Sequence, residues 1–186
     1  MASQVNILGL SGSLRRDSYN SALLRTANEL LPEGAALEVY DLGSIPLYNE
    51  DIRQDGFPPA VQALREKIRS ADAVLITTPE YNFSFPGVLK NAIDWISRPP
   101  DNPFAGKAAA IAGASTGMYG TARAQQQLRQ VLSAVNLYTV NKPEVLVTKA
   151  RETFDQNGRL ADETARKFYG DLLGELVRFA RRLKGE

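Results

Sequence analysis

The chain has 186 residues, 44% of them hydrophobic, with 22 Lys and Arg against 21 Asp and Glu, and it contains neither Cys nor His. Such a length favours one domain spanning residues 1–186, large enough to bury its core without disulfide or metal staples, and the formal charge of +1 excludes a strongly basic nucleic-acid face. The missing residue types exclude Ser–His and Cys–His nucleophile pairs, imidazole zinc ligands and iron–sulfur ligation, so any difficult chemistry falls to a bound cofactor.

The N-terminal MASQVNILGL has no basic segment followed by a long apolar one, and no stretch approaches the ~20 apolar residues of a membrane span, so a cytoplasmic, membrane-free location is expected. Val5 to Leu10 reads as a strand ending in Ser11-Gly12-Ser13. Leu23, Ala27, Leu30 and Leu31 recur at helical spacing until Pro32-Glu33-Gly34. Leu37 to Tyr40 is a second strand, and residues 42–57 form one long irregular connection. A helix follows Pro58-Pro59, carrying Val61, Leu64 and Ile68 on one face. Ala73 to Thr77 is a continuous apolar run, the pattern of a strand buried on both sides.

Pro86-Gly87 opens the next helix, with Leu89, Ala92, Ile93 and Ile96 as its packing stripe. Lys107 to Gly113 favours helix by alanine propensity, yet it is short, glycine-bounded and placed where a strand is due. It is read as a strand. Ala124, Leu128, Val131 and Val135 mark a fourth helix. Leu137 to Val140 and Val145 to Val147 are strand-like and interrupted by Pro143, and a long helix from Ala165 to Leu183 closes the chain. Five strand–helix units predict an α/β, flavodoxin-like, doubly wound five-stranded parallel sheet of order 2-1-3-4-5, helices on both faces.

Ligands in such sheets bind beyond the carboxyl ends of the strands. Three segments fall there. Ser11 to Asn20 offers hydroxyls, two guanidiniums and a helix start, a composition suited to a phosphate; equally, it is a polar loop with Ser18 as helix cap. Neither GxxxxGK[ST] nor GxGxxG occurs, which disfavours a nucleoside triphosphate or a first-turn dinucleotide site. Thr78 to Gly87 carries Tyr81, Phe83 and Phe85, flat walls for a planar heteroaromatic ligand, although some rings, Phe85 above all, are expected to cover the sheet end. Gly113 to Gly120 is a small-residue loop that would let a ligand edge approach the backbone.

GSLRRDSYN at 12–20, TPEYNFSFPGVLKNAIDW at 78–95 and Ser115-Thr116-Gly117 closely resemble the NAD(P)H-dependent FMN reductase family. Within it they look most like the bacterial quinone and chromate reductase branch, as do IPLYNED at 45–51 and NKPE at 141–144. The resemblance implies that Ser11, Ser13, Arg15, Ser18 and Asn20, with backbone from Leu14 and Tyr19, hold the phosphate of bound FMN. Pro79, Glu80, Tyr81 and Asn82 would embrace its ring, largely through main chain, with Ser115, Thr116 and Gly117 along the other edge. Lys90 and Asn91 would fix a neighbouring loop. Tyr119-Gly120-Thr121 stands where many relatives carry Gly-Gly, which alters the substrate side.

The implied activity is ping-pong transfer of hydride from NAD(P)H, the co-substrate, through FMN to quinones, flavin, chromate, azo or nitro compounds. No catalytic side chain and no metal ligand is assigned. The alternative is a flavodoxin-type FMN electron carrier, which the near-neutral charge disfavours. The resemblance also implies a homo-oligomer, dimer or tetramer, with Arg123 and Glu144 between dimers, where Gln126 replaces an aromatic found in some relatives; the apolar cluster Ile45-Pro46-Leu47-Tyr48 offers interface material, unless Leu47 and Tyr48 fold back onto their own domain.

Overall fold

The computed structural model describes residues 3–186. Strand β1 (Val5–Ser11) lies between β2 (Ala35–Tyr40) and β3 (Ala73–Thr77), and β3 is followed by β4 (Ala108–Ala114). The fifth position is shared by two short pieces, β5 (Tyr138–Thr139) and β6 (Val145–Val147), both parallel to β4. The sheet order is therefore 2-1-3-4-5, with every pairing parallel. Residues between β5 and β6 leave the ladder around Pro143, which has no N–H to donate.

Strand β4 is the element whose local propensity and final state conflict most. Its sequence AAAIAGA would suit a helix, but all seven of its residues are buried between strands and under helices on both faces. Alanine is small enough for that doubly covered position, and tertiary burial overrides the intrinsic preference.

Alternation along the strands sends side chains into two cores. Ile7, Leu75 and Ala110 pack under α1 (Tyr19–Leu30) and α7 (Glu163–Lys184), against Leu23, Leu172 and Leu176. Leu8, Val74 and Ile111 pack under α3 (Pro59–Ser70), α4 (Gly87–Ile96) and α5 (Ala122–Ala134), against Leu64, Ile93 and Leu128. At about 25 cal/mol per Å² of apolar surface, these two layers supply the main driving force. The connection at 42–57 contains a 3-10 turn, Leu42–Ser44, and a short helix, α2 (Glu50–Gln54), neither long enough to show a hydrophobic period. A four-residue helix, α6 (Ala150–Thr153), was likewise not expected. Among the described residues no helix is long and apolar enough to cross a membrane.

Candidate functional site

The loops after β1, β3 and β4 meet at one cleft of ≈ 360 Å³. Each is locked by specific bonds. Gly12 N–H donates to Thr77 O at 2.8 Å, which ties the first loop to β3. A Cβ on Gly12 would stand 3.3–3.4 Å from Thr78 Oγ1, Pro79 Cδ and Pro86 Cδ, tighter than most real contacts, so glycine suits this approach. Ser18 accepts the N–H groups of Asn20 and Ser21, as a helix cap should. The Tyr19 N–H, one of the first-turn donors of α1, finds no acceptor among the described residues.

Asn20 is a brace. Its Nδ2 donates to Ala114 O at 3.0 Å and its Oδ1 accepts Ala114 N–H at 2.9 Å, so both amide atoms are spent on the end of β4. Thr77 Oγ1 donates to Asn20 O at 2.9 Å, joining α1, β3 and β4 beneath the cleft.

The second loop turns back on itself through a pair of bonds between Tyr81 and Ser84, at 2.8 and 3.0 Å. Asn82 and Phe83, the two residues at the tip, have φ of 51° and 66°. This is the tight hairpin geometry that demands two left-handed residues; Asn adopts it readily, a bulky Phe at a cost. The tip is held from α5: Gln127 Nε2 donates to Phe83 O at 3.0 Å, and Ser84 Oγ donates to Gln127 Oε1 at 2.6 Å. The Glu80 carboxylate accepts the N–H groups of Arg123 and Ala124 at 3.0 and 3.1 Å, and pairs with Arg123 Nη1.

The third loop owes its path to Gly113. A Cβ there would collide with the Thr121 side chain and stand 2.5 Å from Thr78 O, so only glycine lets the loop lie beside its neighbour. Ser115 N–H donates to Val147 O at 3.0 Å, anchoring the loop on β6.

Ten of the fourteen residues singled out by the sequence line the cleft. They are Ser13, Arg15, Ser18, Tyr19 and Asn20 from the first loop, Pro79, Glu80 and Tyr81 from the second, and Ser115 and Thr116 from the third. Four stand aside. Ser11 Oγ turns to Ser13 O and Ser21 Oγ, Leu14 faces solvent, Asn82 sits at the hairpin tip, and Gly117 O accepts Lys149 N–H. The cleft gains one charged residue that the sequence reading missed, Arg151 on α6. Nothing in the local pattern announces it, because α6 is too short to show a period.

Electrostatically the cleft is positive. Among the described residues Glu80 is the only carboxylate on its wall, and Arg123 together with the start of α5 already occupies it. Arg15 and Arg151 have no carboxylate partner among the described residues. Arg15 rests over the Tyr19 ring, 5.7 Å from its centroid. Phe85 is half-buried against the α3–α5 core, as expected of the ring closing the sheet end, while Tyr81 and Phe83 stay exposed. Leu89, Ala92, Ile93 and Trp95 are buried, and Lys90 pairs with Asp94 at 2.7 Å.

A family model described as NADPH-dependent FMN reductase matches residues 5–152. The chain is 55% identical over 185 residues, the full length of both, to an NAD(P)H-dependent FMN reductase of Pseudomonas aeruginosa. It is 44% identical to a quinone reductase of Escherichia coli, covering 96% of this chain and 95% of that one. Among solved structures, a flavoenzyme NAD(P)H:acceptor oxidoreductase of Paracoccus denitrificans superposes with a TM-score of 0.88 at 35% identity, covering 96% of this chain and 98% of the other.

Proposed function

The chain belongs to the NADPH-dependent FMN reductase family, and from that membership we propose how its cleft serves an FMN-dependent NAD(P)H oxidoreductase that reduces quinones. The residues present fit FMN. The first loop presents an unpaired guanidinium, two hydroxyls and a free first-turn N–H at a helix start, the donor set a phosphate dianion requires. The rest of the cleft is lined by Pro79–Tyr81 and Ser115–Thr116, and its volume of ≈ 360 Å³ falls within the ordinary range of small-ligand sites.

Ser13, Arg15, Ser18 and the Tyr19 N–H hold the phosphate. Ser11, Leu14 and Asn20 act on it through the loop: Asn20 by pinning the start of α1 to β4, Ser11 by fixing Ser13. Pro79, Glu80 and Tyr81 offer one ring wall, with Asn82 turning the hairpin behind them, and Ser115 and Thr116 offer the other, supported by Gly117. When bound, FMN supplies the capacity to take a hydride from NAD(P)H and pass reducing equivalents to an acceptor. The protein binds and orients the reactants, and its contribution is proximity in a positively charged slot. The quinone acceptor rests on the names of relatives, such as the Escherichia coli quinone reductase.

The cleft is open on one side, and a second copy of the chain is the proposed cover. Leu47 is 82% exposed on a loop that is otherwise firmly attached, an arrangement suited to a homodimer contact. Within the chain Arg123 pairs with Glu80 and Glu144 with Lys142 at 3.2 Å, and Arg123, Lys142 and Glu144 stay exposed enough to meet a further copy in a tetramer.

What carries the reading is the meeting of three strand-end loops at one slot whose only carboxylate is neutralised and whose guanidiniums are free. Purified protein should be yellow, bleach with NADPH under anaerobic conditions and recolour on addition of a quinone. A yellow protein that NADPH does not bleach would favour the electron carrier. A protein that stays colourless after incubation with FMN would overturn the reading.

A further inference from the structure

Arg151 reaches the cleft by an unusual route. The chain leaves β6 and passes through Lys149, a non-glycine residue in the left-handed region at φ 46°, ψ 46°. Such a conformation costs about 1–2 kcal/mol for an ordinary side chain and persists only where the surroundings impose it. Here they do. Lys149 N–H donates to Gly117 O at 3.2 Å and Ala150 N–H to Ser115 O at 3.0 Å, so the turn is sewn to the loop after β4. Ala150, the residue before Arg151, is completely buried, which fixes the direction in which α6 departs.

The side chain so delivered has no internal task. Arg151 makes no hydrogen bond or ion pair among the described residues, although Glu152 beside it is near enough to pair with Lys149 at 4.0 Å. It lines the same cleft as Arg15, Ser13 and Ser18, on a segment bonded to Ser115 and packed on the first loop through Phe154, whose ring lies 5.0 Å from that of Tyr19. With Glu80 neutralised by Arg123, two free guanidiniums remain on one slot.

We infer that Arg151 is a second phosphate-reading residue, which binds the phosphate monoester of a nucleotide in the cleft together with Arg15. This rests on the proposed oxidoreductase reading. Two nucleotides of that reaction carry such a group, FMN at its 5′ end and NADPH at its 2′ position; NADH lacks one. A planar guanidinium suits either, because it can present two parallel N–H donors to two phosphate oxygens.

The test compares Arg151→Gln with wild type, with Arg182→Gln, an exposed and distant position on α7, as the control for loss of one charge. FMN release is followed by recovery of flavin fluorescence on serial dilution of the holoenzyme, and KM is measured for NADPH and for NADH. If Arg151 reads the FMN phosphate, the FMN dissociation constant rises about tenfold, the loss typical of one charge-assisted bond, and both nicotinamide substrates respond alike. If it reads the 2′-phosphate, FMN release is unchanged, KM for NADPH rises about tenfold and KM for NADH stays put. Arg151→Lys should recover part of either effect, since it restores charge without the fork. Flavin-loaded Arg151→Gln, with wild-type thermal stability, unchanged FMN release and an unchanged NADPH/NADH ratio, overturns this inference alone. Wild-type protein that takes up no FMN overturns both it and the reading beneath it.

Discussion

Glu80 and Arg123 are joined twice over: the Arg123 guanidinium pairs with Glu80 Oε1 at 3.1 Å, while Glu80 Oε2 accepts the Arg123 main-chain N–H at 3.0 Å. The carboxylate thereby does the work of a helix cap for α5 from 43 residues away in the sequence. The Arg123 guanidinium also lies 4.2 Å from the Phe83 centroid and 4.5 Å from the Tyr119 centroid, so the loops after β3 and β4 are held to one another. These bonds differ in worth. Glu80 is nearly buried and satisfies two orphan amides, whereas Arg123 is 40% exposed and its ion pair is screened by solvent.

Glu80→Ala should therefore destabilise the protein by about 1–2 kcal/mol, the range for losing a helix cap. Arg123→Ala should cost less, about 0.5–1 kcal/mol from exposed cation–π contact. Urea unfolding of both variants reads the order, and a larger loss for Arg123→Ala would refute this division of labour.

Asn20→Ala removes two buried bonds to Ala114 and leaves that residue's N–H and carbonyl without their partner. With about 1 kcal/mol for each bond and more for the unsatisfied groups, a loss of about 2–4 kcal/mol is expected. Asn20→Asp keeps an acceptor for Ala114 N–H but sets a carboxylate against the carbonyl, so it should be no milder. A thermal midpoint within a degree or so of wild type for either variant would show that the brace is unimportant.

Arg15→Ala should weaken FMN binding by about 1.5–3 kcal/mol, the worth of a hydrogen bond to a charged group. Riboflavin has the ring without the phosphate and should bind wild type and variant alike. Fluorescence titration of flavin-free protein with the two ligands makes the comparison. Equal losses for both ligands would move Arg15 from the phosphate to the ring, and no loss for FMN would remove it from the site.

What the sequence made legible follows from the range of each signal. The buried run Ala73–Thr77, the cap at Ser18 and the glycine-bounded strand Ala108–Ala114 are local patterns, and they were enough for the sheet order and the position of the cleft. Arg151 was not legible, because its place depends on a left-handed Lys149 bonded to Gly117, contacts that no hydrophobic period records. The commitment of Asn20 to Ala114 is of the same kind: its residue type suits a phosphate loop, and its partner is 94 positions away. The apolar cluster at 45–48 divided for a related reason. Ile45 and Tyr48 turn inward, the latter onto Trp95 at 4.9 Å, and Leu47 between them cannot.

Acid should act on Glu29. Its carboxyl is held below the usual range by the hydrogen bond from Arg159 first, then by that from Arg166, at 2.9 and 3.1 Å. A carboxylate with a lowered folded pKa adds stability that is complete above its unfolded value and is lost as pH falls through the folded one. The stability gap between wild type and Glu29→Gln should thus be widest near neutrality, begin to close as pH falls into the ordinary carboxylate range and vanish once the folded carboxyl is protonated. A gap that stays constant on acidification would mean that the two arginines do not act through the charge of Glu29.

Leu47 offers the test of assembly. Pro46 O accepts both Asn91 Nδ2 and Trp95 Nε1 at 2.8 Å, and Tyr48 N–H donates to Asn91 Oδ1 at 2.7 Å, so the residues on either side of Leu47 are fastened to α4. A side chain 82% exposed on so rigid a mount loses little further freedom when a partner covers it, and burying a leucine is worth about 1.5–3 kcal/mol. In a symmetric dimer the contact would be made twice if both copies bury it. Leu47→Arg should leave the fold intact, since the side chain packs against little within its own chain, and should shift the dimer dissociation constant upward by at least tenfold. Light scattering across a concentration series reads the mass. The dimer proposal fails if wild type runs as a monomer at micromolar concentration with full NADPH–quinone activity. If wild type is dimeric and Leu47→Arg dissociates no more readily, the dimer stands and Leu47 lies outside its interface.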